Sequence, residues 1–417
     1  MALTALYTGG TGMIAFSNML DVVGNNIANI NTPGYKDQQV SFQDLVYQTL
    51  NPGSPATAKI GGTNPNQLGQ GVGTGANSTL FTQGTITATG QPLDAAIQGN
   101  GFFVLGTGAT QLYTRDGSFT VDSAGFLVDP TTGERVQRTG TVGEGTATTP
   151  GYQVAGNNDI NIPYGAGLPG VETSTVNYQG NIDNNLTVGQ SANTSIQVYD
   201  SQSAAHTLTV TFTNTGTGTY SASATVDGAA ETVTGGPVTF GANGLIASGN
   251  TLTVAVTGTN GAANQTITLN LGAVGSATGL TQFGTATTAQ AVTQNGIAAG
   301  TLESVSYDSS GNIQGQFSNG ETIPIAQLAI ASFNNEGGLL QVGNNDYSTS
   351  PASGQAVIGT AASGGLGTVV GGSLEGSNVN ISTEFANLII AQRGFQVNAE
   401  TVTIADQVLA DLASIIQ

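Results

Sequence analysis

The 417-residue chain has no cysteine, no tryptophan, a single histidine (His206), and six lysines and arginines against 25 aspartates and glutamates. Without cysteine there is no disulfide framework, thiol nucleophile or iron–sulfur ligation, and one histidine cannot complete a Cys/His zinc site. No metal and no cofactor are expected. A formal net charge of −19 excludes an ordinary nucleic-acid binder, whose affinity rests on neutralising phosphates with basic side chains. Long apolar runs are also missing, since no segment reaches the roughly 18 consecutive apolar residues of a membrane-spanning helix. The opening MALTALYTGGTGMIAF lacks a basic start, a continuous apolar run and a small-residue cleavage site. Neither a cleaved signal peptide nor membrane insertion is expected.

Only 7% of residues are charged while 38% are hydrophobic, so the acidity reflects a shortage of bases and not an acidic disordered tail. At roughly 100–200 residues per domain, the length allows several domains, each with its own core.

The two ends share a helical period. Leu6, Met13, Phe16, Leu20, Val23, Ile27 and Ile30 lay one apolar stripe along a helix. Gly9, Gly10, Gly12 and Gly24 are its weak points, and the first three are expected to fray or bend the opening turns. The helix should stop at Asn31-Thr32-Pro33-Gly34, because Pro33 biases Thr32 away from helix and Gly34 suits a turn. At the other end Ile381, Leu388, Phe395, Val402, Leu409 and Ile416 recur as a heptad, with Ala391, Ala405 and Leu412 filling the partner row. Ser377 or Asn378 is the expected cap, and a helix from Asn378 to Ile416 would be about 60 Å long, as a stalk would need.

Between the ends the period changes to two. His206, Leu208, Val210 and Phe212 alternate with threonines, as do Leu252-Thr253-Val254 and Ile267-Thr268-Leu269. Turn clusters at Gly156-Asn157-Asn158, Asp308-Ser309-Ser310-Gly311-Asn312 and Asn334-Asn335-Glu336-Gly337 separate such strands. The expected fold is mainly β, with antiparallel sandwich or barrel domains nested by insertion and a terminal α-helical coiled-coil stalk. No Lys or Arg occurs from Thr139 to Gln392, and from Thr173 to Leu302 the only charged residues besides the histidine are Asp183, Asp200, Asp227 and Glu231. The expected division is therefore an axial helical part with connector (1–72 and 371–417), an inner β domain (73–172 and 303–370) and an inserted outer β domain (173–302).

Asn25-Asn26-Ile27-Ala28-Asn29-Ile30-Asn31-Thr32-Pro33-Gly34-Tyr35-Lys36 resembles the N-terminal signature of the bacterial flagellar rod and hook axial proteins. Ala391-Gln392-Arg393-Gly394-Phe395-Gln396-Val397-Asn398-Ala399 with Thr403-Ile404-Ala405-Asp406 resembles the paired C-terminal motif of that family. Leu93 to Phe103 and Tyr113 to Phe119 are similar to a stretch that rod and hook proteins share, and the inserted span, with Val198-Tyr199-Asp200-Ser201, favours the hook branch over the rod. Gly394 stands where the family usually has Ala, and Glu400 where a basic residue is common.

The resemblance implies a homopolymer assembling into a tubular, curved coupling that transmits motor torque to the filament. It implies export to the cell exterior without a cleaved signal peptide, and contact with the distal rod protein, the hook cap and hook–filament junction proteins. By the same resemblance the N-terminal axial interface takes the Leu6 to Ile30 stripe, and the motif residues are Asn25, Asn26, Ala28, Asn29, Thr32, Gly34, Tyr35 and Lys36. The C-terminal interface takes Ile381, Phe385, Leu388, Gln392, Arg393, Phe395, Asn398, Val402, Ala405, Leu409, Leu412 and Ile416. Burying a dozen large apolar side chains at roughly 1.5–3 kcal/mol each would couple assembly to ordering of the helices.

Rival readings are weak in the sequence. His206 with Asp200 suggests part of a triad, yet His206 is in phase with Leu208 and Val210, as a satisfied strand residue would be. Asp116 and Asp122 sit in turn-like stretches where solvated carboxylates are the default, and Asp159 and Asp346 each follow an Asn pair without a calcium-loop spacing. The glycines of Gly69 to Ala76 lack the flanking strand and helix of a phosphate loop and read as a connector or strand entry. No catalysis is expected; a rod protein is the nearer alternative and a Thr-rich extracellular adhesin the more distant one.

Overall fold

The computed structural model describes residues 2–57, 60–108, 111–145 and 151–415. The chain forms two compact units, one of Met1–Ile162, Val305–Gln314 and Pro324–Gln417, the other of Pro163–Ser304 and Gly315–Ile323.

The first unit carries both long helices, α1 (Ala2–Ala28) and α2 (Ile381–Ile415). α1 runs unbroken through Gly9, Gly10 and Gly12, so the expected fraying does not occur in the structure; packing against α2 supplies what propensity lacks. After Ala28 the chain makes a tight turn in which the Thr32 amide donates to Asn29 O, and Gly34 takes a left-handed φ of 69°. α2 starts later than expected. Its cap is Asn380, whose Oδ1 accepts from the amides of Ser382 and Thr383 at 3.0 and 3.2 Å, a contact worth about 1 kcal/mol. Ser377 and Asn378 lie before the helix, and Ile416 lies outside the described residues.

A β-ribbon follows the turn: Gln38–Asp44 pairs antiparallel with Val72–Thr79, and Tyr47–Asn51 with Asn66–Gly69. Of the glycine-rich run, Gly69 ends one strand and 72–76 open the next, with Gln70 and Gly71 between them. The ribbon rests on α1, where Phe16 meets Phe42 of its first strand edge-on with ring centroids 5.4 Å apart. The body of this unit is a six-stranded sheet in the order Leu340–Gly343, Asp346–Ser348, Leu112–Thr114, Phe102–Leu105, Ile330–Ser332, Val357–Gly359. Ile330 pairs with Phe103, which joins stretches far apart in sequence. Phe102, Tyr113, Phe333 and Tyr347 fill its core in edge-to-face contacts, the geometry that aromatic quadrupoles favour.

The second unit is built on an eleven-stranded sheet. Ser191–Tyr199, Ala205–Gly216 and Thr219–Val226 form its meander, and Leu208, Val210 and Phe212 are fully buried while the intervening threonines face outward. Two pairings depart from the antiparallel expectation: Thr175–Asp183 runs parallel to Gln265–Asn270 and to Leu280–Phe283. Parallel neighbours need long crossovers, and the strands between Asp183 and Gln265 provide one.

Candidate assembly interface and its joint

α1 and α2 lie antiparallel, with a register that four contacts define. A Cβ on Gly9 would meet Val402 Cγ2 at 2.9 Å, Gly12 sits against the Asn398 amide, a Cβ on Gly394 would meet the Phe16 ring at 2.5 Å, and Asn26 Nδ2 donates to Glu384 Oε2 at 3.1 Å. Gly9 and Gly12 of α1 and the Gly394 departure on α2 are therefore close-approach positions: removing the side chain lets the partner helix settle into the groove. Gly10 and Gly24 have open space around them.

The seam is narrow. Gly9, Gly12, Ala15, Val23 and Asn26 are buried on α1; Glu384, Ala391 and Ala405 are buried on α2. Of the expected N-terminal stripe, Val23 is buried and Leu6, Met13, Phe16, Leu20, Ile27 and Ile30 are half-buried. Of the C-terminal set, Ala405 is buried, Leu388, Asn398, Val402 and Leu409 are half-buried, and Ile381, Phe385, Gln392, Arg393, Phe395 and Leu412 are exposed. α2 bears a second apolar stripe that the single-heptad reading missed. Ile389, Val397, Ile404 and Val408 join Phe385 and Leu412 on an open face, with Val397 62% and Ile389 58% exposed. On α1, Leu3, Tyr7 and Ile14 are likewise exposed. The same helical spacing in a second phase was the available signal.

The motif after α1 forms a buried joint between the helix pair and the sheet body of the same unit. Asn26 Oδ1 accepts from Tyr35 Oη and from the Gln38 amide, both at 3.1 Å, while its Nδ2 donates to Gln38 O at 2.8 Å. Asn25 Nδ2 donates to Tyr35 Oη at 3.0 Å, and burial pushes the Tyr35 phenol up to about 12. Asn29 Nδ2 returns to Asn25 O at 2.9 Å, and Thr32 Oγ1 donates to Asn29 Oδ1 at 3.1 Å. The Gly34 amide donates to Glu375 O at 2.7 Å, and a Cβ there would strike the Asp116 amide at 2.6 Å. Ala28 is exposed.

Lys36 completes the joint. Its Nζ donates to Glu375 Oε1 at 2.6 Å and to Thr82 O at 2.8 Å, and Glu375 Oε2 faces Arg115 Nη1 at 3.3 Å. The Lys36 and Glu375 side chains are wholly buried and Arg115 nearly so. Burial draws the Lys36 ammonium below its ordinary pKa, against the pull of Glu375. Asn378 bridges the start of the C-terminal segment to the loop at 80–82, and Asn345 Nδ2 donates to Pro33 O at 2.8 Å. Glu375, Glu384 and Asn345 escaped sequence reading because each acts through a partner hundreds of positions away, and Asn378, expected as a helix cap, bonds Leu80 and Thr82 for the same reason.

The groups named as rival chemistry are placed as follows. His206 bridges Asp200 and Asp227. Asp122 caps its own turn through the amides of Ala124 and Phe126, and Asp159 pairs with Arg135 at 2.8 Å. Asp116 is half-buried where a solvated turn carboxylate was expected, and Asp346, read as part of a turn, opens the strand Asp346–Ser348 and is buried. Burial raises the pKa of both, that of Asp346 to about 7.

Family profiles match along the chain: "Flagella basal body rod protein" at 6–36, "Flagellar hook protein FlgE/F/G D1 domain" at 96–184, "Flagellar basal body protein FlaE D2 domain" at 171–297 and "Flagellar basal body rod FlgEFG protein C-terminal" at 370–415. The chain is 36% identical to the flagellar hook protein FlgE of Treponema pallidum, over 99% of each chain. It is 34% identical to FlgE of Escherichia coli over 97% of this chain and 98% of that one, and 27% identical to the flagellar basal-body rod protein FlgG of Bacillus subtilis over 99% of each. The crystal structure of Helicobacter pylori flagellar hook protein FlgE2 shares the fold, with a TM-score of 0.53 at 14% identity, covering 69% of this chain and all of that one. These matches define an axial protein of the flagellar rod and hook class. Within that class, the chain belongs to the flagellar hook protein family.

Proposed function

We propose that the chain is a structural subunit of the flagellar hook, polymerising through the exposed faces of α1 and α2 into a curved tube that couples motor to filament. The open apolar stripe on α2 carries this reading. At about 25 cal/mol per Å² such a face is stabilised only when covered, and covering it by different surfaces of neighbouring copies gives an open helical filament. Residues 1–72 and 371–417 would line the axis, 73–172 and 303–370 the wall, and 173–302 the outside, with the exposed and half-buried interface residues named above, but not Val23 and Ala405 of the α1–α2 seam, meeting neighbouring copies. The motif residues Asn25 to Lys36 hold each subunit's helices to its own body. Contact with the distal rod protein, hook cap and junction proteins, and a place outside the cell, belong to the same proposal. So does the absence of catalysis.

The test uses the full chain beside a triple variant, Ile389→Glu, Val397→Glu and Ile404→Glu. All three side chains are more than half exposed, so the folded subunit should persist. Tubes in high salt from the parent and monomers from the variant are expected by electron microscopy and sedimentation. A variant that polymerises like the parent would sink the reading.

A further inference from the structure

Most of the charge between 173 and 302 is gathered in one place. Of the five side chains that can carry it, Asp200, His206, Asp227 and Glu231 line one cavity of about 140 Å³, and only Asp183 lies outside its wall. His206 sits there between two turns. Its Nδ1 is 2.7 Å from Oδ2 of Asp227, in the turn that joins Thr219–Val226 to Ala229–Thr234. Its Nε2 is 3.2 Å from Oδ2 of Asp200, in the turn at 200–204 that joins Ser191–Tyr199 to Ala205–Gly216. Carboxylates only accept, so each contact needs a ring N–H, and only the imidazolium has two. Neutral histidine serves one.

Both carboxylates are also fixed by backbone amides. Asp227 Oδ1 accepts from the Thr207 amide at 2.8 Å, the main reason its carboxyl is held below the ordinary carboxylate range. Asp200 Oδ1 accepts from the Gln202 and Ala204 amides, both at 2.8 Å; burial works to raise the Asp200 pKa, but these bonds and His206 outweigh it and lower it. Each turn holds a non-glycine residue in the left-handed region, Ser203 at φ 68° and Asp227 at φ 50°. Such backbone is unfavourable for a residue with a Cβ and persists where surrounding contacts impose it. The turn at 200–204 fastens two further segments, since Ser201 Oγ accepts from the Ala263 amide and Ser203 Oγ from the Gly170 amide, each at 2.9 Å.

We propose that His206 is a proton-operated latch on the turn at 200–204. As the imidazolium it holds both turns; after losing its proton it keeps its N–H toward Asp227, the shorter contact, and sets a lone pair against the Asp200 carboxylate. The turn is then free to relax Ser203 and to loosen its hold on 170 and 263. The hydrogen bond to Asp227 is the main cause that raises the His206 pKa above its ordinary 6.5, so the latch is closed below 6.5 and opens as pH rises through the higher folded value. Glu231 is the third carboxylate at the cavity. Tyr199 follows the cavity-lining Val198 and so faces the other side of its strand, and Thr251–Val256, the loop 257–264 and Gln265–Asn270 carry no titratable group.

The single histidine gives one imidazole Hε1 signal, whose pH titration in unassembled full-length protein locates the midpoint. Hydrogen–deuterium exchange is then measured one pH unit either side of it, as protection relative to intrinsic rates. The amides of Gln202, Ser203 and Ala204 are expected to lose about threefold to tenfold in protection above the midpoint, the effect of one partly exposed charge-assisted hydrogen bond, while those of 208–212 keep theirs. Asp200→Asn, whose side-chain N–H donates to the neutral ring nitrogen, should lower the midpoint and remove the step. His206→Gln should leave the turn at low protection at both values. A midpoint at or below 6.5, a turn whose protection is the same on both sides of it, or a step that survives in either variant would overturn the proposal. If Asp200→Asn does not fold, His206→Gln decides alone.

Discussion

Lys36 Nζ donates to Glu375 Oε1 at 2.6 Å across 339 positions of chain, with both side chains wholly out of solvent. The loop that follows α1 and the strand that precedes α2 are thereby locked to one point of the sheet body, and both helices leave from it.

The two partners are not equivalent. Lys36→Met leaves Glu375 with Arg115 and the Gly84 amide, whereas Glu375→Gln leaves two buried cations without their carboxylate. Glu375→Gln is expected to destabilise the first unit by about 3–5 kcal/mol, and Lys36→Met by less, about 1.5–3 kcal/mol, the loss of one buried charge-assisted hydrogen bond. Urea denaturation followed by far-ultraviolet circular dichroism measures both, and a midpoint unchanged in either variant would contradict the joint.

Asp346 gives a pH dependence of definite sign. Its carboxyl is 2% exposed, one oxygen lacks a partner, and burial raises its pKa from 3.8 to about 7. Between those values the folded state holds a proton that the unfolded state has lost, so this group's contribution is full below about 4 and disappears as pH rises through 7. Asp346→Asn is expected to stabilise by about 2–4 kcal/mol at pH 8 and by much less at pH 4.5. Melting temperatures of parent and variant at the two values decide it.

The helix glycines divide into two kinds. Gly10 has nothing within 4 Å, so Gly10→Ala should gain the full helix-propensity difference, about 1 kcal/mol. At Gly9 a Cβ meets Val402 Cγ2 at 2.9 Å and the Asn398 carbonyl at 3.2 Å, and overpacking of about 1–3 kcal/mol should offset or exceed that gain. Thermal unfolding monitored at the helix band is expected to rise for Gly10→Ala and to stay level or fall for Gly9→Ala.

Only four carboxylates and one histidine carry charge between 173 and 302, so contacts among neighbouring outer domains are expected to rest on hydroxyl and amide hydrogen bonds that water replaces at little net cost. Curvature of assembled tubes should then vary little between low and physiological salt. Imaging the same tubes across that range checks it, and a strong change of curvature would mean that ionic contacts dominate.

The helical ends, the change of period in the middle and the turn at Pro33-Gly34 were legible because each is local: a stripe of side chains or a fixed φ is visible within a dozen residues. The alternation at His206 to Phe212 likewise named Leu208, Val210 and Phe212 correctly as buried, because that face of the strand is covered there, while His206 near its start is half-buried. The meaning of the glycines was not legible, since propensity reads them as breaks whereas the antiparallel partner turns Gly9, Gly12 and Gly394 into contacts. Lys36 stood in a recognisable motif, yet its partner Glu375 and their neighbour Arg115 carry no local pattern.

Local pattern sufficed to read the ends as helix and the middle as strand, to exclude thiol and Cys/His metal chemistry, and to show which family the termini resemble. Tertiary structure alone decided which apolar stripe is covered and which is open, which charges lie buried at the joint, and that Asp200, His206, Asp227, Glu231 and Gln265 share one cavity. Periodicity is a one-dimensional property of neighbouring residues. Desolvation and close packing depend on residues that chain distance separates and the fold brings together.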